Sequence, residues 1–121
     1  MSAWVWIAVA VVGGLGAIAR FLLDAIVAGR VGRALPSGTF VINASGSFAL
    51  GLLTGLALTG DALIIAGTAT IGAFTTFSTW MFETQRLVED GEIAGALLNV
   101  LVSLLVGFGA AALARTIGAH L

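Results

Sequence analysis

Four apolar runs separated by three short polar breaks set the pattern of this chain, at residues 3 to 28, 40 to 59, 62 to 82 and 93 to 113. Each run is close to the roughly 20 residues that a helix needs to cross hydrocarbon. The pattern predicts an all-α membrane protein with a single four-span domain over residues 1 to 121. The first break, Gly29 to Gly38, holds Arg30, Arg33 and the sole proline, Pro36. Gly60-Asp61 makes a tight turn between the second and third spans, and Arg86 to Glu92 is a charged loop. Connections this short make consecutive helices antiparallel neighbours. The first run has no basic stretch before it and continues too far for a secretory leader, so it reads as a mature span.

Polar residues inside the apolar runs change the picture. Gly72-Ala73-Phe74-Thr75-Thr76-Phe77-Ser78-Thr79-Trp80-Met81-Phe82-Glu83 puts four hydroxyls into five positions around an aromatic ring. Hydroxyls in hydrocarbon are unfavourable unless they find partners. Irregular backbone at that depth is tolerated only beside protein or a water-filled cavity. On an unbroken helix Thr68, Thr75, Thr79 and Glu83 would share a face. Adjacent hydroxyls next to an aromatic are equally compatible with a local break, which would free carbonyl oxygens for a cation and a helix N-terminus for an anion.

The second span carries Asn43, Ser47 and Thr54 within about 40° of one another around a helix, a polar stripe down one side. Asn43 reads either as glue between helices or as the lining of a path. The Asn43-Ala44-Ser45 sequon inside a span is a chance match. In the fourth span Asn99 and Ser103 lie four apart and form a smaller polar patch. Arg20 and Asp24 also lie four apart and can pair. Two readings stand for them: an ion pair snorkelling near the helix end, or charge at the mouth of a pathway.

Composition supports the membrane reading, with 60% hydrophobic and 9% charged residues, where a soluble domain carries about 25% charged. The five basic residues are all arginines, and the formal net charge is −1. No clustered basic face for nucleic acid results. Zero cysteines exclude disulfides and thiolate chemistry. Many of the seventeen glycines suit close helix packing, Gly51-x-x-x-Gly55 above all. Arg30, Arg33 and Arg86 on one side of the membrane against Arg115 on the other favour outward termini by a small margin. So small an excess also allows insertion in both orientations. The stretch Gly14 to Ala19 fits a dinucleotide-binding pattern, but no strand precedes it. One histidine, at the C-terminal end, and no HExxH, GxSxG or P-loop leave no basis for an enzyme.

Three blocks resemble the Fluc (CrcB) fluoride channels, in that family's order. They are Gly14-Leu15-Gly16-Ala17-Ile18-Ala19-Arg20, Pro36 to Phe48, and Gly72 to Glu83. The resemblance covers the four-span layout of the whole chain. It implies a fluoride-selective channel that passively exports cytoplasmic fluoride, placed in the cell membrane as an antiparallel, dual-topology dimer. It also implies a third helix broken near its middle. The fluoride pathway would fall on Asn43, Phe77, Ser78, Thr79 and Trp80, with Ser103 from the fourth span. Arg20 and Glu83 would mark the pore mouth. A structural Na⁺ would be held at the dimer centre by the backbone carbonyls of Gly72 and Thr75. Trp80 departs from the pattern, since the family usually has a second phenylalanine there. Some members pair with a related, unlike subunit, so a heterodimer is open beside the homodimer.

Two other functions share the layout. A small multidrug-type, proton-coupled exporter would carry a membrane-embedded glutamate in the first span, where this chain has only Asp24 near the end. A non-transporting assembly subunit would use its glycines and hydroxyls for packing alone.

Overall fold

The computed structural model describes residues 1–121 and is all helical, with no strand. Helix α1 spans Ala3–Val31, α2 Ser37–Gly55, and α3 Gly60–Leu63. The chain then continues through a wide, π-helical segment, Ile64–Ile71, into the single turn α4, Gly72–Phe74. It leaves helical geometry at Thr75 and Thr76 and resumes as α5, Phe77–Glu89. Helix α6, Ile93–Ala119, completes the chain.

By length and composition three stretches can cross a membrane: Ala3–Val31, Gly60–Glu89 and Ile93–Ala119. The predicted second span forms as the helix α2, but it is shorter, at 19 residues, and more polar, carrying Asn43, Ser45, Ser47 and Thr54.

Element boundaries differ from those read off the apolar runs, for local reasons. Helix α1 continues to Val31 because the backbone turns only at Gly32, where φ is +77°, a conformation that glycine adopts without strain. Helix α2 starts earlier, directly after Pro36, and ends earlier, before Ala57 at φ 58°. The loop expected over Arg86 to Glu92 is mostly helix, since α5 runs on to Glu89. Asp24 pairs with Arg33 at 3.0 Å, not with Arg20. The turn at Gly32 sends the chain back along α1 and brings the Arg33 guanidinium over that carboxylate.

The π-helical segment has a local signature in Thr70, whose Oγ1 donates to the Ile65 carbonyl five residues back at 2.7 Å. Such segments are rare and concentrate near functional positions. This one packs against α1, which also contacts α2 and α4.

The most extensive contact in the bundle is between α2 and α6. It depends on missing side chains. A Cβ on Gly51 would collide with the backbone of Ala111, and one on Gly55 with the backbone of Arg115. The Gly51-x-x-x-Gly55 pair is therefore a seam where two backbones meet, which is how helices associate when no water drives them together. Only five apolar side chains are buried within the chain: Val5, Ile42, Leu87, Ala96 and Ala114. So thin a core leaves most apolar surface facing outwards, towards lipid or another protein. Trp4 and Trp6 project from the start of α1, in keeping with the indole belts of membrane–water interfaces.

Candidate functional site

The break in the third helix is built by two threonines and one asparagine. Thr75 and Thr76 adopt extended backbone, with ψ of 162° and 123°. Thr76 then caps α5, its Oγ1 accepting the Thr79 N–H at 3.2 Å. Threonine is a favoured residue at that position, because its oxygen satisfies an N–H with no partner in the first turn. From α2, Asn43 closes the break with two hydrogen bonds. Its Nδ2 donates to the Thr76 carbonyl at 2.9 Å, and its Oδ1 accepts the Thr76 N–H at 2.9 Å. One side-chain amide thus pairs with one backbone residue as a neighbouring strand would.

Those bonds redirect two helical donors. In a continuous α-helix the Thr76 N–H would reach the Gly72 carbonyl and the Thr79 N–H the Thr75 carbonyl. Here the first goes to Asn43 and the second to the Thr76 hydroxyl. The carbonyls of Gly72 and Thr75 lose their usual donors as a result. Gly46 on α2 lets the break come close, since a Cβ there would run into the Thr75 methyl.

A groove of about 360 Å³ lies beside the break, between α2, the start of α5 and α6. Asn43, Ser47, Phe77, Trp80 and Ser103 border it, together with apolar side chains from α6. Phe77 and Trp80 meet edge to face, with ring centroids 5.7 Å apart and planes at 80°, a preferred arrangement for aromatic pairs. The Ser103 Oγ is buried and has no hydrogen-bond partner. No lysine or arginine lines the groove.

The other expected site residues lie elsewhere. Ser78 and Thr79 are exposed on α5 and do not border the groove. Their hydroxyls sit 3.3 and 3.1 Å from the Thr76 Oγ1. Glu83 is half-buried and receives a hydrogen bond from the Thr39 hydroxyl of α2. Arg20 is half-buried on α1 and makes no ion pair. The face shared by Thr68, Thr75, Thr79 and Glu83 on an unbroken helix does not exist, because the winding is interrupted between them. Thr54 drops out of the α2 stripe, exposed and bonded to the Leu50 carbonyl of its own helix. Asn99 and Ser103 do not act as one patch either, since Asn99 donates to Thr84 at 2.9 Å.

Three contributors were missed by sequence reasoning. Thr76 matters as a cap, a role open to a threonine set directly before the first residue of a helix. Thr39, 2% exposed, and Thr84 were ordinary polar positions until the helices came together.

These features define a small helical membrane protein whose polar groups converge on a helix break and an adjoining groove. Residues 7–115 match the family model described as CrcB-like protein, Camphor Resistance (CrcB). The chain belongs to that family. A relative from Mycolicibacterium paratuberculosis, named Fluoride-specific ion channel FluC 2, is 54% identical over 108 residues, covering 89% of this chain and 88% of its own length. The Mycobacterium tuberculosis protein of the same name is 50% identical over 113 residues, covering 93% and 90%. A Haloarcula marismortui protein, again of that name, is 48% identical over 103 residues, covering 82% and 83%.

Proposed function

We propose that this chain is a fluoride-selective ion channel that lets cytoplasmic fluoride leave passively through the cell membrane. The observation that carries the reading is the groove at the helix break, bordered by an amide, hydroxyls and aromatic rings with no basic side chain among them. Fluoride is small and strongly hydrated, so a pathway must replace its water with hydrogen-bond donors. Asn43 has two amide protons and gives one to Thr76, which leaves the second for the ion. Ser103 has a hydroxyl with no partner. Aromatic edges carry the positive side of the ring quadrupole and face an anion without a full charge. Conduction needs sites weak enough to release the ion, a condition that a groove without lysine or arginine favours. Ser78 and Thr79, exposed beyond the groove, extend the donor track along α5. Arg20 and Glu83 mark its mouth.

The working unit is an antiparallel, dual-topology homodimer in which α2 is the second of four spans. The small self-buried core and the small excess of arginines on one side, three against one, support that arrangement. A structural Na⁺ belongs to the same reading. The residues present suit it, since Gly72 and Thr75 offer carbonyl oxygens whose helical donors have been diverted and hard cations prefer such ligands. When bound it would supply a fixed positive centre near the pathway.

Purified chain in liposomes, with no other subunit, is expected to release F⁻ far faster than Cl⁻ when fluoride- and chloride-selective electrodes follow the efflux. Equal release of the two halides would defeat the selectivity. Ser103→Ala separates a conducting groove from a packing seam. A neutral Ala removes a buried hydroxyl that has no partner, so folding stability is expected to hold or to rise by about 1 kcal/mol. Fluoride flux is expected to fall roughly ten-fold, the worth of one donor to a charged acceptor. A drop in oligomer stability with unchanged flux would favour an assembly subunit instead.

A further inference from the structure

Trp80, Thr84 and Asn99 form a closed circuit of hydrogen bonds between α5 and α6. The Trp80 Nε1–H donates to the Asn99 carbonyl at 3.3 Å. The Asn99 Nδ2 donates to the Thr84 Oγ1 at 2.9 Å, and that hydroxyl donates to the Trp80 carbonyl one turn back at 2.8 Å. The indole is therefore tied at its ring nitrogen, while its backbone is tied to the same asparagine through Thr84. The ring held in this way stands edge to face with Phe77 and borders the groove. Phe77 itself is 70% exposed, and Trp80 is the one ring it stacks with. Asn99 lies one turn before Ser103, which borders the same groove.

We propose that Trp80 determines how the aromatic pair meets the anion, and that Asn99 and Thr84 are its positioning residues. The proposal rests on reading the groove as the fluoride path. Its physical content is twofold. A free indole N–H beside an anion path would add one more charge-assisted hydrogen bond to those that Asn43 and Ser103 offer, and would hold the ion longer. Directing that N–H to the Asn99 carbonyl removes the strong donor from the path and leaves carbon-bound hydrogens facing it. The same bond sets the ring angle against Phe77. A phenylalanine at this position keeps the Thr84 link to its main-chain carbonyl but has no N–H, so the circuit fixes the angle of the ring only with Trp80 present.

The test is a double-mutant cycle on the full chain in liposomes, reading fluoride efflux and the emission anisotropy of Trp80. The other two of the chain's three tryptophans, Trp4 and Trp6, are changed to phenylalanine so that Trp80 alone reports. Thr84→Val keeps the shape and removes the hydroxyl, so the Asn99 main-chain carbonyl stays but α5 is no longer pinned to α6 at the turn that sets the indole against it. It is expected to lower fluoride efflux roughly five-fold, the scale of coupling between contacting residues, and to lower the anisotropy. In the Trp80→Phe background the same change is expected to leave efflux within about two-fold. Thr84→Ser keeps the circuit and is expected to behave as the unsubstituted chain, while Asn99→Leu is expected to match Thr84→Val. Equal losses from Thr84→Val in both backgrounds, or no loss in either, would overturn the proposal. If the unsubstituted chain releases no fluoride, the reading of the groove fails and this proposal fails with it. The anisotropy then still reports whether the circuit holds the indole.

Discussion

Asn43→Asp is expected to lower fluoride efflux roughly 100-fold or more, because it replaces the donor to the Thr76 carbonyl with a repelling acceptor, a loss of about 3 kcal/mol, and sets a negative charge beside the groove. The change is nearly isosteric. One carboxylate oxygen can still accept the Thr76 N–H, as the Asn43 Oδ1 does at 2.9 Å. The other replaces an N–H donor with an acceptor, directed at the Thr76 carbonyl that Nδ2 now serves. Two acceptors facing each other repel, and a buried carbonyl without its donor is penalised further. The redirected backbone is affected as well. If the repulsion at the Thr76 carbonyl drives the carboxylate away, the Thr76 N–H is released as well and can return to the Gly72 carbonyl, extending α4 through the break. Efflux from liposomes gives the first readout. Hydrogen exchange at Thr76 gives the second, and unchanged exchange together with unchanged efflux would contradict the clamp.

Gly51→Val is expected to destabilise the folded chain by about 3 kcal/mol or more, at the upper end of what overpacking does. The Cβ would collide with the backbone of Ala111 on α6. Backbone has no rotamer through which to escape, so the most extensive contact in the bundle must open. Loss of a monodisperse peak in detergent size-exclusion chromatography, with a lowered thermal midpoint, is the measurement. Gly109→Ala is the control, since its Cβ would meet nothing within 4 Å. That change is expected to be neutral or to gain about 1 kcal/mol from helix propensity. A similar loss for both variants would show that the chain rejects side chains at glycines in general, and the α2–α6 seam would lose its special status.

The membrane character, the all-helical class and the block around the third helix were legible in the sequence. These properties are local. Apolar run length is set by hydrocarbon thickness, and four hydroxyls in five positions stand out against any lipid-facing helix. The role of Gly51 and Gly55 was equally legible, because small residues four apart on one helix face admit a close neighbour whatever that neighbour is.

What the tertiary structure decided was the choice of partner. Asn43 was open between glue and lining until α2 lay against the break and its amide met both backbone groups of Thr76. Asp24 had Arg20 within reach along one helix, but a turn at Gly32 delivered Arg33 instead. Asn99 lay one turn from Ser103, yet its amide found Thr84 on another helix and left the serine hydroxyl unpartnered. Periodicity states which residues share a face of one helix. It carries no information on what a second helix brings to that face, and in a medium without water each polar group bonds to whatever donor or acceptor the packing sets before it.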